Sequence, residues 1–245
     1  MARRRNAGNP IPAYFRLQQE LQGQIESGRL APGERIPPER ALAQIQKVSV
    51  GTVTKAILNL VHEGYLYRVQ GSGTFVAGTT LRRESLRYYR SLREFGDKEA
   101  DLTVKLLDLI PIDGLESVNR YLGIRRAHGL FRLRRLMISE ERRVVYSVSF
   151  LPQKLFKGLE EFPPNRFEKV PLYTAIEESY GLPTIFNREL LSAEPAEAEV
   201  AEHLEVRAGT PVLVIEMLAF TYKERPYEYR RSHCLTESRR IFREF

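Results

Sequence analysis

The stretch PPERALAQIQKVSVGTVTKAILNLVHEG, residues 37–64, decides how the front of this chain folds. It is typical of two helices separated by a tight break, with Pro38 in the first turn of one helix and Ser49 as the N-cap of the other. The second helix opens on Ser, Val, Gly and Thr, which are small and uncharged, so its first turn can press closely against another molecule. Its core-facing stripe has helical spacing: Val53, Ala56, Ile57, Leu60 and Val61.

Another helix and a hairpin surround this pair. Residues 12–27 carry apolar side chains three or four positions apart, which predicts a helix that ends near Gly28. In the short helix after Pro38, Leu42 and Ile45 are expected to face inward. After the second helix, the runs YLYRV and TFVAG flank QGSG, which predicts a β-hairpin. Helix, helix, turn, helix and hairpin is the order of a winged helix-turn-helix module.

That order suggests which molecule contacts the first turn of the helix that follows Ser49. In a helix-turn-helix, the start of the second helix contacts base edges in the major groove, and small residues permit close approach. The GSG at 71–73 does not fit a dinucleotide-binding loop, because such a loop runs from a strand into a helix and this one joins two strands. The tip is either a plain hairpin turn or a wing that contacts DNA, and the two are compatible.

The charge distribution agrees with a polyanionic partner. The 245 residues carry a net charge of +7, but residues 1–95 hold 15 Lys/Arg and 7 Asp/Glu, while residues 96–245 hold 23 and 24. The excess positive charge therefore lies entirely in the front part. Such asymmetry is typical of proteins that bind nucleic acid or an anionic membrane, although a solubilising face would give the same pattern.

Several classes of function find no support in the sequence. One cysteine, Cys234, allows no disulfide within the chain, and we expect it to be buried. No apolar run is long enough to span a bilayer, and no secretory signal begins the chain, so a cytoplasmic location and no membrane partner are expected. The four histidines lack metal-ligand spacing and there is no G-x-S-x-G elbow. We expect no metal, no cofactor and no enzymatic activity.

Residues 10–78 resemble the DNA-binding domain of GntR-family bacterial transcription regulators. The resemblance is carried by GERIPPERALA, by the VSVGTV turn and by GYLYRVQGSGTFV. It implies that the chain binds a short palindromic operator in double-stranded DNA as a homodimer, through Arg40, Ser49, Thr52 and the wing glycines. Many relatives carry arginine where this chain has Val50 and Thr54, so affinity is expected to depend more on the remaining cations. The expected DNA-facing set is Arg40, Lys47, Ser49, Val50, Gly51, Thr52, Thr54, Lys55, Arg68, Gly71, Ser72 and Gly73.

The remainder of the chain predicts a second domain. Residues 79–95 have a helical stripe that ends at Leu92 and are interpreted as a partly helical linker. Residues 96–245 interleave hairpins with helices, which is typical of an α+β domain on a largely antiparallel sheet. A helix with Leu115, Val118 and Leu122 facing inward is expected after the first strand. Two hairpins turn at SEER and at YKERP, and a helix at 170–183 is stopped by Gly181.

This second part resembles the UTRA effector-binding domain of the HutC subgroup, through FLP, LYTAIEESYGL, AEHLEVRAGTPVLVIE and ERPYEY. The resemblance implies a chorismate-lyase-like fold with flanking helices, a small-molecule pocket and ligand control of DNA binding. Two arginines of the family map to positions 135 and 137: this chain has arginine at Arg135 but methionine at Met137. Arg134 should face the opposite side of the strand. A family glutamate maps to Ser147 and a family arginine to Leu235. The expected effector contacts are Arg135, Ser147, Ser149 and Glu228.

The sequence therefore predicts a DNA-binding repressor whose operator affinity is controlled by a small metabolite. Two alternatives remain open at this point. The second domain could turn over a metabolite while the first anchors it to DNA, or the chain could bind DNA constitutively and carry a vestigial pocket.

Overall fold

A computed structural model describes residues 11–78, 90–92, 102–163, 165–237 and 240–242. The chain forms two compact units that divide between Gly78 and Thr79. We call residues before this division the front unit and those after it the back unit.

The front unit has three helices followed by a two-stranded antiparallel hairpin, as the sequence predicts. Its elements are α1 (Ala13–Glu26), α2 (Glu39–Gln46), α3 (Val50–His62), β1 (Leu66–Val69) and β2 (Gly73–Val76). Helix α3 is the centre of the core, because Val53, Ala56, Ile57 and Leu60 are completely buried. Leu17, Leu21 and Ile25 of α1 pack on the same core.

The prediction that Ile45 faces inward is wrong, since its side chain is 65% exposed. Helix α2 buries Leu42 and Ala43, so its inner face is centred between these two positions. At about 100° per residue, Ile45 then lies roughly 110° away from that centre. Lys47 then ends the helix in a left-handed conformation at φ 52°.

The back unit is built on a six-stranded antiparallel sheet with strand order β4-β5-β6-β9-β8-β7. The strands are β4 (Thr103–Ile112), β5 (Leu130–Ser139), β6 (Arg142–Pro152), β7 (Phe186–Pro195), β8 (Pro211–Thr221) and β9 (Arg225–Cys234). The helices are α4 (Glu116–Tyr121), α5 (Arg166–Lys169), α6 (Leu172–Tyr180) and α7 (Ala198–Leu204). This arrangement confirms the predicted α+β class.

Helices cover both faces of this sheet. Helix α6 buries Leu172 and Ile176 against a cluster that includes Leu133 and Met217 of the sheet. Helix α7 packs on the other face, in a cluster with Leu136 and Val214. We call the first of these the α6 face, because the predicted effector residues lie on it.

Both predicted hairpins are present, and Gly181 ends α6 at φ 62°. Two expectations are wrong. Leu115 is 41% exposed, because α4 begins only at Glu116 and leaves Leu115 outside the helix. Strand β7 was not predicted, because it is an edge strand whose side chains are mostly exposed and do not alternate cleanly between apolar and polar.

The predicted linker is described only in part. Arg90–Leu92 forms a short strand, β3, that pairs antiparallel with β10 (Arg240–Phe242), where the sequence pattern predicts a helical stripe. Pairing with a segment about 150 residues away is a tertiary effect that local spacing does not encode. The rest of the predicted linker helix, at 79–89 and 93–95, lies outside the described residues.

Candidate DNA-binding surface and effector site

The first turn of α3 satisfies its own polar groups. The backbone N–H of Thr52 donates to Ser49 Oγ at 3.1 Å, as expected of a serine N-cap, and the two hydroxyl oxygens lie 2.8 Å apart. Val50 and Gly51 are exposed beside them. The outer surface of this turn is therefore small and apolar.

Glu39 forms hydrogen bonds with two of the residues that are predicted to contact DNA. Its carboxylate accepts hydrogen bonds from the Thr54 hydroxyl and, at 2.6 Å, from the Arg68 guanidinium. Thr54 Oγ1 also lies 3.0 Å from the carbonyl oxygen of Val50. Glu39 thus connects α2, α3 and the first strand of the wing, and Arg68 has to exchange this partner if it is to contact a phosphate.

The other predicted cations divide into two groups. The ammonium of Lys55 lies 4.0 Å from the ring centroid of Tyr14, so a cation–π contact turns it toward α1. Arg40 and Lys47 are exposed, and within the described part of the chain neither pairs with an acidic group. Of these three cations, Arg40 and Lys47 are therefore better placed to meet a phosphate.

The wing turns at Gly71 and Gly73, with Ser72 exposed between them. Both glycines have positive φ, 75° and 133°, which L side chains rarely adopt. A Cβ at Gly73 would also lie 2.7 Å from Nε of Arg35, whose side chain lies against the turn of the wing. Sequence reasoning missed Arg35 as a cation of this surface. Arg35 ends the sequence Gly33-Glu34-Arg35, and nothing in that local sequence indicates that its side chain would contact Gly73.

The four predicted effector residues come together on the α6 face. Arg135 of β5 lies opposite Ser147 of β6. Ser149 of β6 lies opposite Arg230 of β9, and Glu228 precedes Arg230 by two residues on the same strand. All four are buried; Arg135 is 4% exposed and the other three are completely inaccessible. Arg134, the neighbour of Arg135, faces the opposite side and pairs with Asp108 and Glu199, as expected from strand alternation.

Two further residues of this cluster were missed by sequence reasoning. Arg230 is opposite Ser149 and Ser232 is opposite Ser147, and both are buried. The signal was present in β9, where Glu228, Arg230 and Ser232 alternate along a strand that is central in the sheet. Polar residues at every second position of a buried strand indicate a polar site rather than a core.

Arg230 joins the cluster to the helix that covers it. Its Nε lies 3.1 Å from Oε1 of Glu228, and the ring of Tyr173 on α6 lies 5.3 Å from its guanidinium carbon. The same guanidinium is 3.5 Å from the sulfur of Met217. The pair is only 2% exposed on the arginine side and fully buried on the glutamate side.

Burial raises the pKa of the Glu228 carboxyl to about 7, whereas the Ser149 hydroxyl and the charge of Arg135 act in the opposite direction. The hydroxyls of Ser147 and Ser232 are buried without a hydrogen-bond partner among the described residues. Two guanidiniums, one carboxylate and these hydroxyls form a buried polar patch on an otherwise apolar face. Such a patch can bind a small polar molecule that carries negative charge.

Other features of the described residues support no competing site. A surface cleft of about 420 Å³ beside α5 includes none of the four predicted effector residues. Cys234 is buried as expected, and burial raises the pKa of its thiol to about 12, which makes it a poor nucleophile. Within the described ranges, no group of three His, Cys, Asp or Glu side chains is placed to bind a metal ion. None of the described helices is long and apolar enough to cross a membrane.

Comparison with known families agrees with both halves of the chain. Residues 13–76 match the bacterial regulatory proteins of the gntR family, and residues 99–239 match the UTRA domain. The chain belongs to the GntR family of bacterial transcription regulators. This GntR regulator, with its UTRA domain, is a DNA-binding transcription regulator and not an enzyme.

Relatives along the whole chain support this assignment. The HTH-type transcriptional regulator YurK of Bacillus subtilis (strain 168) is 30% identical over 223 residues, which is 90% of each chain. The HTH-type transcriptional repressor NagR of the same organism is 29% identical, over 93% of this chain and 92% of NagR.

Solved structures share the fold. The ligand-binding domain of a GntR-family regulator from Bordetella bronchiseptica is 24% identical with a TM-score of 0.60, and the match covers 65% of this chain and 98% of that domain. PhnF from Mycobacterium smegmatis is 20% identical with a TM-score of 0.56, over 95% of this chain and 98% of PhnF.

Proposed function

We propose that this GntR regulator is a cytoplasmic repressor that binds a short palindromic operator as a homodimer. A small effector bound on the α6 face would change its affinity for that operator. The observation that carries the effector half is the convergence of Arg135, Ser147, Ser149 and Glu228 on one buried face, beside Arg230 and Ser232. Three of these residues come from the β5–β6 hairpin and Glu228 comes from the distant strand β9, and their side chains are polar where the surrounding face is apolar.

The charge of the cluster indicates the class of effector. Arg135 and Arg230 bring positive charge next to the Glu228 carboxyl, whose pKa is raised to about 7. A carboxylate or phosphate group on the effector would balance that charge, and the serine hydroxyls would bind further polar atoms. The effector is therefore proposed to be a small polar anion.

The effector half is tested by comparing wild type with Arg135→Ala in the full chain. Operators are first selected from a pool of random duplexes, and their affinity is then measured with and without a fractionated pool of cellular metabolites. Wild type should change its affinity with one fraction, and Arg135→Ala should bind DNA equally well but not respond. A wild-type affinity that no fraction changes would favour a constitutive DNA-binding protein.

The DNA half is tested by the salt dependence of operator binding. Arg40→Ala should weaken binding and make the slope of log K against log salt less steep by about 1 per half-site, because one phosphate contact is lost. Lys55→Ala is the matched control, since Lys55 is held against Tyr14, and it should change the slope much less. Equal effects of the two substitutions would contradict the proposed contact set.

Formation of a homodimer and binding to a palindromic operator are tested by separate measurements. Sedimentation of the full chain should give a mass of about two chains, and footprints should cover two inverted half-sites. A monomeric mass on the operator would contradict this part of the proposal.

A further inference from the structure

The first two turns of α3 offer few polar groups to a base pair. The Ser49 hydroxyl accepts from the Thr52 N–H and contacts the Thr52 hydroxyl, and Thr54 is bound to Glu39. Lys55 is stacked on Tyr14. Each polar side chain between residues 49 and 55 therefore already has a partner within the front unit.

Val50 is the side chain that remains available on this turn. It is 44% exposed although it is apolar, and it is the first residue of α3. In a helix-turn-helix this position faces base edges in the major groove. Val50 is not one of the buried residues of α3, which are Val53, Ala56, Ile57 and Leu60.

Gly51, next to Val50, gives a second and independent indication. A Cβ at this position would have Ser49 Oγ as its nearest neighbour, at 4.0 Å, so the fold has room for a side chain. Glycine in a helix is less stable than alanine by roughly 0.5–1 kcal/mol. Gly51 is therefore unfavourable for the helix, and no packing within the chain requires it. Close approach by another molecule would explain a glycine at this position. A bare surface at Gly51 would allow α3 to approach the floor of the groove, with Val50 next to the bases.

We infer that Val50 reads the 5-methyl group of a thymine in each operator half-site. This inference rests on the proposed operator binding and adds the base that one residue recognises. Among the four bases, only thymine presents an apolar group at the major-groove edge, whereas guanine is read by bidentate arginine or lysine. No arginine lies between residues 49 and 55, and Lys55, the one lysine in this range, is held against Tyr14, so neither side chain type is placed here for the guanine contact.

The test removes the methyl group without changing base pairing. Operators are selected with the full wild-type chain, and each thymine is then replaced in turn by deoxyuridine. One thymine per half-site should be sensitive, with affinity falling about fourfold per methyl group and about 15-fold when both half-sites are changed. In Val50→Ala this sensitivity should disappear, while Val50→Ile should retain it.

Structural damage is separated from lost recognition by thermal unfolding. Because Val50 is exposed, Val50→Ala should keep the melting temperature of the wild type. In a fresh selection, Val50→Arg should exchange the sensitive A·T pair for a G·C pair.

Several results would overturn the inference. Deoxyuridine could have no effect at any position, or Val50→Ala could retain the sensitivity of the wild type. In both cases operator binding, and with it the proposed function, would stand. Failure of the wild type to bind any duplex at low salt would instead contradict the proposed function itself.

Discussion

The candidate DNA-binding surface and the candidate effector site differ in how they are built. The DNA-binding surface is exposed, and most of its candidate residues lie on two neighbouring helices and one hairpin. The effector site is buried, and its residues come from β5, β6 and β9, which span about 100 residues of sequence. The first can be formed by short segments that fold locally, whereas the second exists only when the sheet has assembled.

The two sites nevertheless share a property. Each contains residues that the fold alone does not favour. On α3 this is Gly51, which lowers helix stability without relieving a steric contact. On the α6 face these are the buried hydroxyls of Ser147 and Ser232 and the buried carboxyl of Glu228. If both sites exist to bind other molecules, substitutions that help the fold should harm function in both.

The largest effect is expected for Arg230→Met. Removing one partner of a buried ion pair takes away the guanidinium that lies 3.1 Å from the Glu228 carboxylate, and such changes lower the free energy of unfolding by about 3–5 kcal/mol. Urea denaturation of the full chain measures the loss. The double variant Arg230→Met with Glu228→Gln should recover most of it. A single variant as stable as wild type would show that Arg230 does not stabilise the buried carboxylate.

The next effect is the dependence of stability on pH. Because the folded pKa of Glu228 is raised from 4.5 to about 7, its favourable contribution is complete below pH 4.5 and is lost as the pH rises through about 7. Wild type should therefore lose up to about 3 kcal/mol relative to Glu228→Gln across this interval. Exposed Glu202→Gln serves as the control and should keep the wild-type profile. Parallel profiles for wild type and Glu228→Gln would refute the raised pKa.

A smaller effect, with opposite signs for stability and function, is expected for Ser147→Ala. Removing a buried hydroxyl without a partner should leave stability unchanged or raise it by about 1 kcal/mol, while the response to effector is lost. Ser139→Ala is the matched control, because this buried hydroxyl also lacks a partner among the described residues but lies at the end of β5. Loss of response in both variants would argue against a specific role of Ser147.

The smallest change in stability is expected for Gly51→Ala. It should raise the free energy of unfolding by roughly 0.5–1 kcal/mol and yet weaken operator binding, because the new methyl group occupies the space left for DNA. Gly23→Ala in α1 is the control, since a Cβ there meets no atom within 4 Å and Gly23 also lies within a helix. It should raise stability without changing affinity. Unchanged operator binding in Gly51→Ala would show that the bare turn is not a contact surface.

Sequence reasoning was most successful where the forces act over a few residues. The N-cap at Ser49, the stripe of α3 and the hairpin tip at residues 71–73 follow from capping, helical period and glycine conformation. It failed for Ile45, where the inner face of a short helix is rotated by packing, and for β7, whose side chains follow no simple pattern.

What the sequence by itself determined is the winged helix-turn-helix unit, the α+β character of the back unit and some of the polar residues of both candidate sites. Only the tertiary structure decided that β9 lies between β6 and β8, which brings Glu228, Arg230 and Ser232 beside Ser147 and Ser149. The tertiary structure also decided that Glu39 accepts hydrogen bonds from Thr54 and Arg68. Capping and side-chain periodicity are properties of a few neighbouring residues, whereas strand order and ion-pair partners depend on how distant segments pack.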